Sequence, residues 1–111
     1  MTESEFLVLA EQTLDEIEAA FESAAEENDI DIESSRSGNV LEIEFIDNGS
    51  KIIVNSQTPM REIWVAARSG GFHFRHEGER WINTRDGSDL YEVLSTSASA
   101  QAGASLSIQP K

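Results

Sequence analysis

Glu11, Asp15, Glu18 and Glu22 recur at i, i+4, i+7 and i+11, so on a helix of 3.6 residues per turn they fall within an arc of roughly 60°. Glu26 widens that arc only slightly. Carboxylates stacked in one column are oxygen donors for hard cations that keep several of their waters, and such binding is expected to be weak, plural and poorly selective. Like charges one turn apart cost a helix roughly 0.2–0.5 kcal/mol per pair, and a cation sharing the column relieves that repulsion. Asp29, Asp31 and Glu33 follow in alternation. They extend the column into a ridge if the segment carrying them adjoins the helix end. The competing reading for these three is a charged edge strand that blocks aggregation, and the two readings are compatible.

Composition narrows the partners. The 111 residues carry 21 Asp plus Glu against 8 Lys plus Arg, a formal net charge of −13. A surface of that sign repels nucleic acid phosphates and anionic membranes, which leaves metal cations and basic protein patches. Acidic surfaces also keep proteins soluble, but here the acids concentrate in the first third of the chain. Cysteine is absent, which removes disulfides, thiolate nucleophiles and thiolate-ligated zinc or iron–sulfur sites. His73 and His76 are three apart, a spacing that puts them on opposite faces of a strand rather than on one metal. Gly70-Gly71 reads as a turn, no phosphate-cradling loop or Gly-x-Ser-x-Gly elbow is present, and the acids read as exposed rather than set in a cleft. A binding protein is therefore expected rather than an enzyme. Neither an apolar run of membrane-spanning length nor a basic-then-apolar leader is present, so the expected location is the cytoplasm.

The elements that must position these residues follow from hydrophobic period. Thr2 and Glu5 match a capping box, and Phe6, Leu9, Thr13, Ile17, Ala20 and Ala24 form the stripe opposite the acids, giving a helix to about Ala25. From Ile30 the period becomes two. Ile30 and Ile32 alternate with Asp29, Asp31 and Glu33, and Leu41, Ile43 and Phe45 alternate with Glu42 and Glu44, with the residues from Ser34 to Asn39 read as a loop. Asn48-Gly49 predicts a type I′ hairpin turn. Short strands are expected at Lys51 to Asn55, Ile63 to Ala67, Phe72 to His76 and Trp81 to Thr84, and the brief turns between them imply antiparallel order. Asp86 or Ser88 is expected to cap a second helix with Leu90, Val93 and Leu94 on its apolar stripe. The predicted fold is α+β, a two-layer α-β sandwich whose antiparallel sheet of five to six strands carries the N- and C-terminal helices on one face. One domain spans 1–111, with a weakly ordered tail from about residue 98 that folds back through Leu106 and Ile108.

Asn55-x-Gln57-x-Pro59, Ile63-Trp64-Val65-Ala66, Gly70-Gly71-Phe72-His73-Phe74, Gly78 and Trp81 together resemble the frataxin family. Ser4-Glu5-Phe6, Leu9-Ala10, Asp29-Ile30-Asp31 and Asn48-Gly49-Ser50-Lys51-Ile52-Ile53 extend the resemblance over nearly the whole chain. It implies the same sandwich fold and a role in iron–sulfur cluster assembly. Implied with it are weak binding of Fe2+ and Fe3+ on an acidic ridge, with other divalent cations also accepted, and contact with the cysteine desulfurase and the scaffold protein. The ridge positions carry over to Glu11, Glu18, Glu22, Asp29, Asp31 and Glu33, while Asp15 is an addition of this chain. Ser56 stands where a basic residue is common in the family, and the serine-rich tail is unusual for it. A monomer is expected, with oligomers forming only on metal binding.

Trp64 has two readings. If Ile63 and Val65 point to the helices, alternation sends Trp64 to the open sheet face, where an exposed aromatic is a frequent binding hot spot. A tryptophan wedged into the core is the other reading, and alternation together with the resemblance favours the first. Asn55 and Gln57 would then flank it. Two further function classes stay open on the sequence: a ferroxidase that oxidises iron at clustered carboxylates, and an acidic interaction module for which metal is incidental.

Overall fold

The computed structural model describes residues 1–110. Helix α1 (Glu3–Asn28) opens with the expected reciprocal box: the Thr2 hydroxyl accepts from the Glu5 amide at 3.1 Å and the Glu5 carboxylate accepts from the Thr2 amide at 2.8 Å. The Thr2 amide, and then its hydroxyl, hold the Glu5 carboxyl below the usual glutamate range. That contribution to the cap is present above the unfolded pKa and lost as pH falls through the lowered folded one. The helix runs one turn past Ala25, to a left-handed C-cap at Asp29 with φ 53°. Its buried stripe is Phe6, Ala10, Thr13, Leu14, Ile17, Ala20, Phe21 and Ala24.

Six strands follow in one antiparallel sheet of order β1-β2-β3-β4-β5-β6: Ile32–Ser37, Val40–Phe45, Ser50–Gln57, Glu62–Ala67, Gly70–Glu77 and Arg80–Asn83. Both helices pack on one face, over Leu41, Ile43, Phe45, Ile52, Val54, Ile63, Val65, Phe74 and Trp81. The segment expected as a loop after Glu33 is instead strand to Ser37, with Ser34, Ser35 and Arg36 opposite Ile43, Glu42 and Leu41. Polar residues occupy both faces of this edge strand, so no apolar alternation marks it. The Asn48-Gly49 turn also differs. Only Gly49 has positive φ, at 71°, and the loop 46–49 closes through the Gly49 amide to the Phe45 carbonyl at 2.8 Å, whereas type I′ needs both residues left-handed. Asn48 works through its side chain, accepting from the Ser50 amide and donating to the Gln101 carbonyl at 2.7 Å.

Helix α2 (Leu90–Ala102) is capped by Asp89, one residue beyond the expected Ser88, because Asp86 spends its carboxylate on the Ser88 amide and hydroxyl. It also runs further than expected, so residues 98–102, predicted as the start of the tail, are its last turn, ending at Gly103. The tail does fold back, and both anchors are in the core: Leu106 is 4% exposed and Ile108 is fully buried. The hydroxyls of Ser95 and Ser99, one turn apart on α2, each accept a tail amide and donate to the same residue's carbonyl, at Ile108 (2.8 and 3.2 Å) and Leu106 (2.8 and 3.1 Å). These two serines supply the edge along which the tail lies.

Candidate acidic ridge and sheet-face site

The structure divides the predicted acidic column in two. Ile32, Ser34 and Arg36 share the helix-side face of β1, because their cross-strand partners are the core residues Phe45, Ile43 and Leu41. Arg36 therefore reaches α1, where its guanidinium pairs with Asp15 at 2.6 Å and Glu11 at 3.1 Å while Nε donates to the Gly38 carbonyl. Its side chain is only 16% exposed, so it is inserted in the column rather than waving over it. The Ser34 hydroxyl donates to Glu18 at 3.1 Å. Glu22, Asp29 and Asp31 are exposed, and among the described residues their carboxylates have no ion pair or hydrogen bond. Glu33 leaves the ridge: it points to the opposite sheet face, across from Glu44. The column is thus half occupied by the chain's own cation.

The open half lies at the carboxyl end of α1, where the helix dipole is negative and the last turn has no basic residue. Acids at that end are doubly unfavourable, and a cation there is favoured by the side chains and by the helix dipole together. Among the described residues no three Asp, Glu or His side chains converge tightly enough to chelate one ion. This donor set is one of dispersed surface carboxylates rather than a caged site.

Arg36 gives a direct test. Two ion pairs whose carboxylates are exposed are together worth about 0.4–2 kcal/mol, so Arg36→Gln is expected to lose stability of that order. It should also raise affinity for a divalent ion about threefold to tenfold by freeing Glu11 and Asp15. Titration with Mn2+, followed by paramagnetic broadening of amides on α1, locates the gain. Broadening confined to the carboxyl end in both proteins would take Glu11 and Asp15 out of the site.

On the other sheet face the register assembles a second cluster. Asn55 on β3, Trp64 on β4 and His73 on β5 form one row, and Gln57, Glu62 and Arg75 form the next. Trp64 stands on this open face, half-buried, as alternation predicts. Its ring stacks on His73 with centroids 4.2 Å apart and planes 7° from parallel. Its indole Nε1 donates to Glu62 at 2.8 Å, and Arg75 pairs with the other carboxylate oxygen at 3.3 Å. The row beyond is Ile53, Ala66 and Gly71. Glu62, His73 and Arg75 were not singled out as site residues from the sequence. Parity with Trp64 is the signal that places Glu62 on this face; the pairings across strands needed the register.

His76 lies on the helix side, edge-on to Trp81 at 5.0 Å, so the two histidines are on opposite faces. Trp81 is structural: it is 6% exposed, donates to the Thr13 hydroxyl and meets Phe6 edge-on. Beside it a cleft of about 300 Å³ runs between α1 and the start of α2. There Tyr91 donates to Glu16 at 2.5 Å, and burial, reinforced by that carboxylate, pushes the phenol pKa up.

Comparison with known proteins places this geometry. Residues 1–104 match the frataxin-like domain. The iron-sulfur cluster assembly protein CyaY of Janthinobacterium sp. (strain Marseille) is 64% identical over 98% of this chain and 97% of its own length. That of Cupriavidus taiwanensis is 66% identical over 96% of each. Among solved structures, frataxin from Psychromonas ingrahamii superposes with a TM-score of 0.81 at 29% identity, covering 98% of this chain and 99% of that one. Trimeric frataxin from Saccharomyces cerevisiae, complexed with ferrous iron, gives 0.72 at 25% identity over 85% of each chain. With one family matched by domain, by close relatives along their full length and by the six-stranded sheet under two helices, the chain belongs to the frataxin family.

Proposed function

We propose that this chain serves iron–sulfur cluster assembly by binding iron weakly at the carboxyl end of α1 and by docking through its Trp64 face on the cysteine desulfurase and its scaffold. It acts there as an iron donor, as a regulator of the desulfurase, or as both. The observation that carries the reading is the unpaired half of the ridge, Glu22 and Asp29 with Glu18 beside them, at the negative end of a helix dipole. The relatives are named for cluster assembly, and a frataxin of the same fold has been solved with ferrous iron. Without cysteine the chain supplies neither thiolate ligands nor sulfur, so its effect passes through a partner. No helix among the described residues is long and apolar enough to cross a membrane.

Glu18→Gln/Glu22→Gln tests the ridge. Stability is expected to hold or rise by up to about 0.5 kcal/mol, since like-charge neighbours are removed. Anaerobic titration with ferrous ion should show weaker binding by about fivefold or more, the scale of one to two exposed charge interactions. An isotherm matching the parent's would remove these residues from the site. The absence of a three-ligand cluster among the described residues favours one other reading, a docking module for which metal is incidental. Capture of the desulfurase with unchanged affinity in iron-free buffer would select it.

A further inference from the structure

Glu62 is the most deeply buried carboxylate on the open sheet face, with a side chain only 5% exposed, and neither the cation ridge nor the core has a use for it. A carboxylate out of water is costly unless it is fully partnered. This one accepts from two side chains and has a third close by. The Trp64 indole lies at 2.8 Å, Arg75 directly opposite at 3.3 Å, and His73 Nδ1 at 3.8 Å. Two of the four residues are joined along β4 and two across to β5, so the block is closed: Glu62 fixes the edge of the indole, and His73 covers one of its faces. Trp64 is therefore held at its edge by Glu62 and on one face by His73, rather than free to swing.

We infer that Glu62 is the positioning residue of the docking face: its buried carboxylate, by accepting the Trp64 indole hydrogen, sets that ring in its partner-binding orientation before the partner arrives. A side chain already ordered loses less freedom on association, so preorganisation shows directly as affinity. The inference deepens the docking role proposed for this face and rests on it.

The test compares Glu62→Met with Glu62→Gln. Both remove the charge and keep the volume, and only Gln keeps an oxygen that accepts the indole hydrogen. The first readout is hydrogen exchange and chemical shift of the Trp64 indole N–H by NMR, with the buried Trp81 indole as internal control. The second is affinity for the purified cysteine desulfurase. In Glu62→Met the Trp64 indole proton should exchange about tenfold faster, and the dissociation constant should rise about threefold to tenfold, the equivalent of one hydrogen bond. In Glu62→Gln both should stay within about twofold of the parent. On a Trp64→Ala background, Glu62→Met should have no further effect on affinity. An indole signal unmoved in Glu62→Met overturns the inference, as does undiminished binding by Glu62→Met when Trp64→Ala binds weakly. If Trp64→Ala itself binds normally, the docking role of this face has failed and the inference falls with it; the indole signal then reports only whether Glu62 holds the ring. Should Glu62→Met not fold, Glu62→Ala carries the same comparison.

Discussion

Replacing Leu106 and Ile108 together by alanine is expected to leave a protein without a cooperative folded state at 37 °C. Each is buried in the common core, and truncation of a buried Leu or Ile costs about 2–5 kcal/mol. A domain of this size has only about 5–15 kcal/mol in total. The two positions share one short segment and one helix surface, so their costs will not add fully. Each single variant should lower the urea midpoint clearly with an unchanged slope, and the double should show a broad transition or none. Ser95→Ala and Ser99→Ala separate packing from hydrogen bonding: each strands a tail amide and carbonyl and should cost about 1–3 kcal/mol if those groups stay dry. A loss below about 1 kcal/mol in the double alanine variant would mean that the tail merely rests on a core complete without it.

The tail also shows where sequence reading fails. Leu106 and Ile108 were identifiable as anchors because they are the apolar residues of a polar stretch. The helix on which they pack was not traced to its end, since Ser95, Ser97 and Ser99 weaken helical propensity and interrupt the stripe. Their helical use is tertiary: Ser95 and Ser99 bond the tail, Ser97 is buried within reach of the Ser69 hydroxyl, and Gln101 accepts from the Arg68 amide across the molecule. The main layers were legible because period alone separates α1 from the strands, and Asn-Gly marks a hairpin even though its turn type was misread. The acidic column was likewise legible as a helix face, but its state was not. Arg36 lies 21 residues from Asp15 in a stretch with no apolar alternation, and only the register of the edge strand turns it toward α1. The same register carries Glu33 to the opposite face. Spacing within an element is local and readable; which face of one element meets another is decided by pairing.

Trp64→Ala is expected to separate stability from docking, and the half-buried environment of the ring sets the scale. The side chain has one face on His73, its edge on Glu62 and no place in the core cluster. Truncation should therefore cost about 1–2 kcal/mol, above the range of ordinary surface changes and well below the roughly 3–5 kcal/mol of a core tryptophan. Glu62 loses one donor but keeps Arg75, which limits the penalty of leaving it buried. Binding should suffer more. A central aromatic anchor is typically worth at least about 2 kcal/mol on truncation, a roughly thirtyfold rise in the dissociation constant for the desulfurase. Asn55→Ala and Gln57→Ala, neighbours on the same face, should give smaller losses of about 1 kcal/mol or less, as residues around an anchor do. Ferrous binding should be unchanged in all three, because α1 covers the opposite face of the sheet. The decisive pattern is thus a folded Trp64→Ala protein that retains iron binding and loses the partner. Loss of the fold would place the ring in the core instead, and retention of both partner and fold would move docking to another surface.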